Sequence, residues 1–272
     1  MSSSRYVDTV PAPDPELVKE KRVIVLSYSR SGTLGLCNAM QFLGYKPYNM
    51  HQVVQNGYSH IKMFSEALQI KRTGQGKPYS RPDFDKWMWN YDVLTIVPCY
   101  LTEEIVQAYP DAKFILTVRE PENWAKSVWN TIGLLAARAH SFPANFYKYF
   151  DLADLQFSRL VDLIFQTITR GYGRTEAGYQ AAMKEYEEYN ARVKDLVPAD
   201  RLLIAKLEEG LGWEQICPFL EVDIPEVPYP RMNDTKQFQA QVSKICARGR
   251  RNALSLMGAL SALAIGVWSV RR

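Results

Sequence analysis

Two short constellations in this sequence have the residue types to hold anions. The first is the loop Ser27-Tyr28-Ser29-Arg30-Ser31-Gly32-Thr33. It follows the apolar, β-rich run Val23-Ile24-Val25-Leu26 and precedes a helical pattern with Leu34, Leu36, Met40 and Leu43 on one face and Gly44 as its stop. A strand, a tight loop and a helix N-terminus present free backbone N–H groups, and the positive end of the helix dipole, to whatever sits in the loop. Gly32 allows close backbone approach, Thr33 offers a hydroxyl and Arg30 a permanent positive charge. The second constellation is Arg119, at the end of another apolar run, with Ser127 eight residues on in the next helix. An arginine at a strand end and a serine on the following helix can close on one phosphate from two sides.

The loop is not that of a nucleoside-triphosphate binder. GxxxxGK[ST] requires Gly where Ser27 stands, Lys where Thr33 stands and Ser or Thr where Leu34 stands. The missing groups are those that hold the β- and γ-phosphates and Mg²⁺. An ATPase also tends to place a Mg²⁺-binding Asp at the end of a neighbouring strand, where this chain has Arg119. That substitution points to a second anionic group rather than a metal. The plainer alternatives are a strand–turn–helix junction with no ligand, and Arg119 as a surface partner of Glu120 or Glu122.

These residues need elements to position them. Apolar runs at 91–98, 113–119 and 201–205 read as further strands, each followed by a helical pattern, which predicts an α/β fold with a doubly wound parallel sheet. Residues 51–71 and 101–110 read as helices, 121–139 as one long helix, and 150–197 as helices broken at Gly171-Tyr172-Gly173. The series Tyr172, Tyr179, Tyr186, Tyr189 fits a packed helix face better than a ligand box. The stretch RTGQGKPYSRPDFDKW reads as a long polar loop near the substrate. Residues 1–20 read as a flexible arm without a secretory signal, and 21–245 as the folded domain.

A net charge of +4 without a basic stripe in the folded part suits small anionic ligands and argues against nucleic acid. Cys37, Cys99, Cys217 and Cys246 are too scattered for a zinc site or a disulfide framework, and the three histidines form no HExxH, so no resident metal is expected. Near the C-terminus, Arg248, Arg250 and Arg251 precede an uncharged run at 253–270, closed by Arg271-Arg272. The expectation is a hydrophobic helix serving as a membrane anchor, tail-anchored with the domain facing the cytosol; the alternative is a buried or lipid-surface helix.

Taken together, these motifs resemble the P-loop sulfotransferases, and most of all the single-domain sulfotransferase-like proteins of fungi. The likeness runs from about Val23 to Phe238 and includes AYPDAKFILTVREPENWAKSV and LEEGLGWEQICPFLEVDIPEVPYPRMNDTKQF, with Trp213, Phe219, Pro225, Pro230, Asn233 and Asp234. The resemblance implies that Arg30, Ser31, Gly32, Thr33 and Leu34 bind the 5′-phosphosulfate of 3′-phosphoadenosine-5′-phosphosulfate, and that Arg119 and Ser127 bind its 3′-phosphate. The implied activity is transfer of a sulfuryl group, without a metal, to a hydroxyl or amine of a small, apolar or aromatic acceptor. Catalysis would then rest on positioning and charge stabilisation, with Arg30 beside the leaving oxygen.

The chain departs from the family at the base. Relatives often hold an acidic residue two before the Pro that ends the second strand, where this chain has Ile96. Tyr48-Asn49-Met50 stands where YHM is common, and His51 follows it. His51 is the expected substitute, with Glu103 and Glu104 as further candidates; as plainer roles, His51 caps a helix and the two glutamates favour a helix N-terminus. Arg248-Gly249-Arg250 is a poor echo of the arginine–glycine cluster that grips the 3′-phosphate in relatives. The sequon Asn233-Asp234-Thr235 reads as structural. Two rivals follow: an inactive donor-binding or scaffold protein at a membrane, and a nucleotide kinase or NTPase. The acceptor's identity and the oligomeric state are not encoded in any motif.

Overall fold

The structure is a computed structural model that describes residues 5–230 and 235–270, without the side chains of 235–239, 241, 242, 245 and 264–270. Five strands form one parallel sheet: β1 Val23–Val25, β2 Pro47–Tyr48, β3 Val93–Leu94, β4 Lys113–Val118 and β5 Leu202–Lys206, in the order β2-β3-β1-β4-β5. From β1 the chain goes first to the sheet edge for β2, returns to insert β3 between the two, then crosses to the other side of β1 to lay down β4. The crevice at the C-terminal ends of β1 and β4 is therefore the switch point where open α/β sheets bind ligands.

The helices are α1 Thr33–Phe42, α2 Met50–Gln55, α3 Tyr58–Thr73, α4 Arg81–Met88, α5 Thr102–Ala108, α6 Pro121–Trp129, α7 Ile132–His140, α8 Ala144–Tyr147, α9 Leu152–Ile168, α10 Glu176–Leu196, α11 Trp213–Leu220 and α12 Thr235–Val270. Both faces of the sheet are covered, so its strands read as unbroken apolar runs rather than as alternating ones. Val23 and Val25 pack under α1 and α11 with Leu36, Met40 and Ile216. Ile24 and Leu26 point to the opposite face, into the larger core with Phe64, Phe114 and Leu160.

Several expectations are corrected. The helix expected over 51–71 is two, because Gly57 takes φ +73° and breaks it. The helix expected over 121–139 is also two, with a turn at Asn130-Thr131. Half of the expected loop RTGQGKPYSRPDFDKW is α4, started by Ser80 and Asp83, whose side chains satisfy each other's backbone N–H groups. The N-terminal arm is docked from residue 5 on. Val7 is buried, Arg5 pairs with Asp8 (2.7 Å) and Asp83 (3.0 Å), and Glu66 accepts from the N–H groups of Tyr6 and Val7.

The membrane anchor over 253–270 is not supported. Among the described residues no helix is long and apolar enough to cross a membrane. The run is the far half of α12, whose near half is charged and docked on the body: Arg248 pairs with Asp151 (3.3 Å) and Asn252 donates to the Phe150 carbonyl (2.9 Å). The side chains from Ala264 on, with Arg271 and Arg272, lie outside the described residues, as do Asn233 and Asp234 of the sequon.

Candidate active site

The donor loop joins β1 to α1. Gly32 caps α1 at φ +78°, and Leu207 fills the space beside it, where a Cβ would lie 2.7 Å from Leu207 Cδ1. Only glycine meets both conditions without strain. Arg30 also takes a positive φ, +74°, uncommon for a residue with a side chain. Its Nε donates to Ser127 Oγ (3.0 Å), and its carbonyl accepts from Arg119 Nη1 (3.1 Å). Arg30, from one part of the chain, and Arg119 and Ser127, from another nearly a hundred residues on, are thus in direct contact and form one contiguous cluster.

A second layer holds this cluster. The Tyr186 hydroxyl accepts from the Arg119 N–H (3.0 Å) and shares a hydrogen bond with Ser31 Oγ (3.0 Å). Trp124 Nε1 donates to the Ser29 carbonyl (2.9 Å) and its ring stacks on Tyr186 at 4.2 Å. The Thr117 hydroxyl bonds Ser27 Oγ (2.8 Å) and the Ser31 carbonyl (2.5 Å). These residues carry no motif. The signal for Tyr186 and Tyr189 is their spacing on one helix face, which reads as core; it is core, and it also sets the loop.

Two features of the cluster invite an anion. Arg119 Nε is buried without a hydrogen-bond partner in the structure; its nearest carboxylate oxygen, on Glu208, is 3.9 Å away. Buried donors are nearly always satisfied, so an orphan at a strand end marks a ligand position. Burial and then the nearby Arg119 push the Arg30 guanidinium down from its ordinary pKa. Arginine stays charged regardless, so the downward push reports first the cost of burying that charge and then its repulsion from Arg119, both of which a bound anion offsets.

Beside the cluster lies a cavity of about 650 Å³. Arg30 and Thr33 line one part of it, with His51 and Ile96 in the same wall. α2 brings His51 there through Asn49, whose side chain accepts the His51 backbone N–H (2.7 Å) while Gln52 reaches back to the Asn49 N–H. Neither Asp nor Glu lines the cavity among the described residues. Glu103 and Glu104 are elsewhere, both paired with Lys71 of α3, which leaves them the helix N-terminal role. Burial pushes the Cys37 thiol up and the Tyr100 hydroxyl well up, so neither is a ready base. Arg248 does not reach the donor cluster, being paired with Asp151.

Ile96 sits at φ +69°, a conformation costly for a β-branched side chain. Asparagine and aspartate tolerate it better. The backbone here is shaped for the short polar residue that the sequence lacks.

The model of the sulfotransferase domain matches residues 22–238, most of the chain. The chain belongs to the sulfotransferase domain family. It is 33% identical over 218 residues to "Ava biosynthesis cluster protein M" of Aspergillus versicolor, covering 78% of this chain and 80% of that relative. A crystal structure of a sulfotransferase from Alicyclobacillus acidocaldarius aligns over 89% of this chain and 97% of its own at 14% identity and a TM-score of 0.45, too low to add to the assignment. The matched span of the sulfotransferase domain contains the whole donor cluster, His51 and Ile96. It ends inside α12, before Ser243, which lines the cavity from that helix.

Proposed function

We propose that this sulfotransferase domain transfers a sulfuryl group from 3′-phosphoadenosine-5′-phosphosulfate to a hydroxyl or amine of a small acceptor with an apolar or aromatic body. The observation that carries the reading is the orphaned Arg119 Nε, buried beside Arg30 and Ser127. When bound, the donor supplies an activated sulfuryl group. Arg30, Thr33 and the first N–H groups of α1 hold its phosphosulfate end and stabilise the charge that builds on the leaving oxygen. Arg119 and Ser127 hold the second phosphate. The cavity aligns the acceptor, and His51 takes the proton from the acceptor hydroxyl or amine. Among the described residues no group of His, Cys, Asp or Glu is arranged to hold a metal ion.

The direct test is thermal stability with adenosine 3′,5′-bisphosphate, without Mg²⁺. A rise in melting temperature supports donor binding. A rise only with ATP and Mg²⁺ overturns the reading in favour of a kinase. Transfer from labelled donor to a panel of phenols, alcohols and amines then tests turnover. A second reading, donor binding without turnover, is favoured by one observation, the lack of any carboxylate in the cavity wall. Bisphosphate binding with no transfer to any acceptor would establish it.

A further inference from the structure

The acceptor cavity has a charge at each end. Arg30 marks the donor end. Among the residues lining the cavity the other cation is Arg138, on α7. The chain ties its helix to the donor cluster. Arg30 Nε donates to Ser127 Oγ, and the Thr131 hydroxyl donates to the Ser127 carbonyl (2.7 Å), so the start of α7 is tied to the donor cluster. Thr131, Ile132, Leu135 and Arg138 then line the cavity along one face of α7. At about 1.5 Å per residue, Arg138 stands about 9 Å along the axis from Ile132.

The rest of the lining mixes apolar side chains, Met50, Ile96, Phe157, Val161 and Ile164 among them, with uncharged polar ones such as Asn49 and Gln52. Arg138 is exposed at the mouth and makes no ion pair among the described residues. The carboxylates nearest it on α9 and its N-cap are engaged elsewhere. Asp151 pairs with Arg248 and accepts the Asp154 N–H, and Asp154 accepts from the Cys246 thiol (3.8 Å). Asp154 still feels Arg138: burial, and then Asp151, push its carboxyl up, while the Cys246 thiol and Arg138 pull it down, without a direct ion pair. An exposed guanidinium without a carboxylate in contact, in the lining of a cavity that holds no Asp or Glu among the described residues, suits an oxyanion.

We infer that the acceptor carries a carboxylate or similar oxyanion about 9–10 Å from the hydroxyl or amine that is sulfated, and that Arg138 recognises it. This rests on the acceptor reading of the cavity given above. Arg138 is a specificity-determining residue and takes no part in the chemistry.

The test is calorimetry on the full chain with 4′-hydroxybiphenyl-4-carboxylate, whose phenol and carboxylate have that separation, and with its methyl ester. The acid should bind about 2- to 5-fold more tightly than the ester, the scale of an exposed charge pair. Arg138→Ala should bring the acid down to the ester, Arg138→Lys should keep most of the preference, and ester affinity should stay unchanged in both. Equal binding of acid and ester by the natural protein overturns the proposal. So does binding of neither, an acid preference that survives Arg138→Ala, or equal weakening of both ligands by that change. Bisphosphate affinity, measured on the same samples, should not respond to Arg138. Its absence would defeat the donor reading while leaving the acid-to-ester ratio to judge Arg138.

Discussion

The two ends of the site are built on opposite principles. At the donor end many polar groups are already partnered by the protein, through Ser27, Thr117, Trp124 and Tyr186, and two buried atoms, Arg119 Nε and Ser29 Oγ, are left without a hydrogen-bond partner. At the acceptor end the wall mixes apolar and uncharged polar side chains, drawn from α2, α7, α9 and α12 among other elements, and has a strained residue at Ile96. Under the proposed function, the difference means that the donor end is pre-organised for one anionic ligand, whereas the acceptor end selects by shape and by its polar points. Substitutions should therefore fall into two classes, those that cost stability or donor affinity and those that alter turnover.

Trp124→Ala should have the largest effect. It removes a fully buried ring from beneath the donor loop, and urea unfolding should show a loss of about 3–5 kcal/mol. A small loss would mean that the loop does not depend on its aromatic bed. His51→Ala should lower kcat about 10²- to 10⁴-fold and leave bisphosphate affinity intact, the signature of the acceptor end. An unchanged kcat would remove His51 from the mechanism. Arg119→Ala should do the converse, weakening bisphosphate binding by about 2–4 kcal/mol in calorimetry. Wild-type affinity in that variant would defeat the donor assignment.

The remaining predictions are finer. Burial pushes His60 down to about 4, and its Nδ1 faces the Tyr48 hydroxyl at 2.7 Å. That hydroxyl also accepts from Trp87 Nε1 (2.8 Å), so the pair is held in a buried network. A histidine with a depressed folded pKa favours the fold above its unfolded value, near 6.5, and loses that contribution as pH falls towards 4. Denaturation midpoints should drop across that window by about 2–3 kcal/mol, and His60→Gln should flatten the profile. Tyr48 leads directly into the turn that carries His51, so acid should loosen the acceptor end first. A flat profile in the natural protein would refute the coupling. Last, Tyr186→Phe should cost about 1–2 kcal/mol, because the buried Arg119 N–H loses its acceptor, and should weaken the donor end only. An effect on acceptor KM alone would blur the division.

Local patterns and distant ones were unequally legible. The β1 loop, Arg119 and Ser127 stand out because each belongs to one strand end or one helix start, and sequence spacing encodes such neighbours. Four of the five strands were visible as apolar runs. β2 was not, since a two-residue strand containing Pro47 at the sheet edge has no period to detect. Trp124, Tyr186 and Thr117 look like ordinary core in the sequence, and only packing shows that their polar atoms serve the loop. The docked arm was missed because its polar composition hides one arginine with two carboxylate partners.

One feature of α12 has a mechanical side. At Gly249 the helix comes so close to the body that a Cβ would lie 2.7 Å from the Tyr147 carbonyl oxygen and 3.0 Å from Asp154 Oδ2. That point is a fulcrum. Ser243, in the cavity wall, lies about 9 Å from it along the axis, and exposed Leu263 lies about 21 Å away on the other side. A helix of this kind behaves as a stiff rod, so a 2 Å sideways displacement at Leu263 moves Ser243 by roughly 1 Å in the opposite sense. Any load on the far arm of α12 is thereby geared down into a fine adjustment of the acceptor wall.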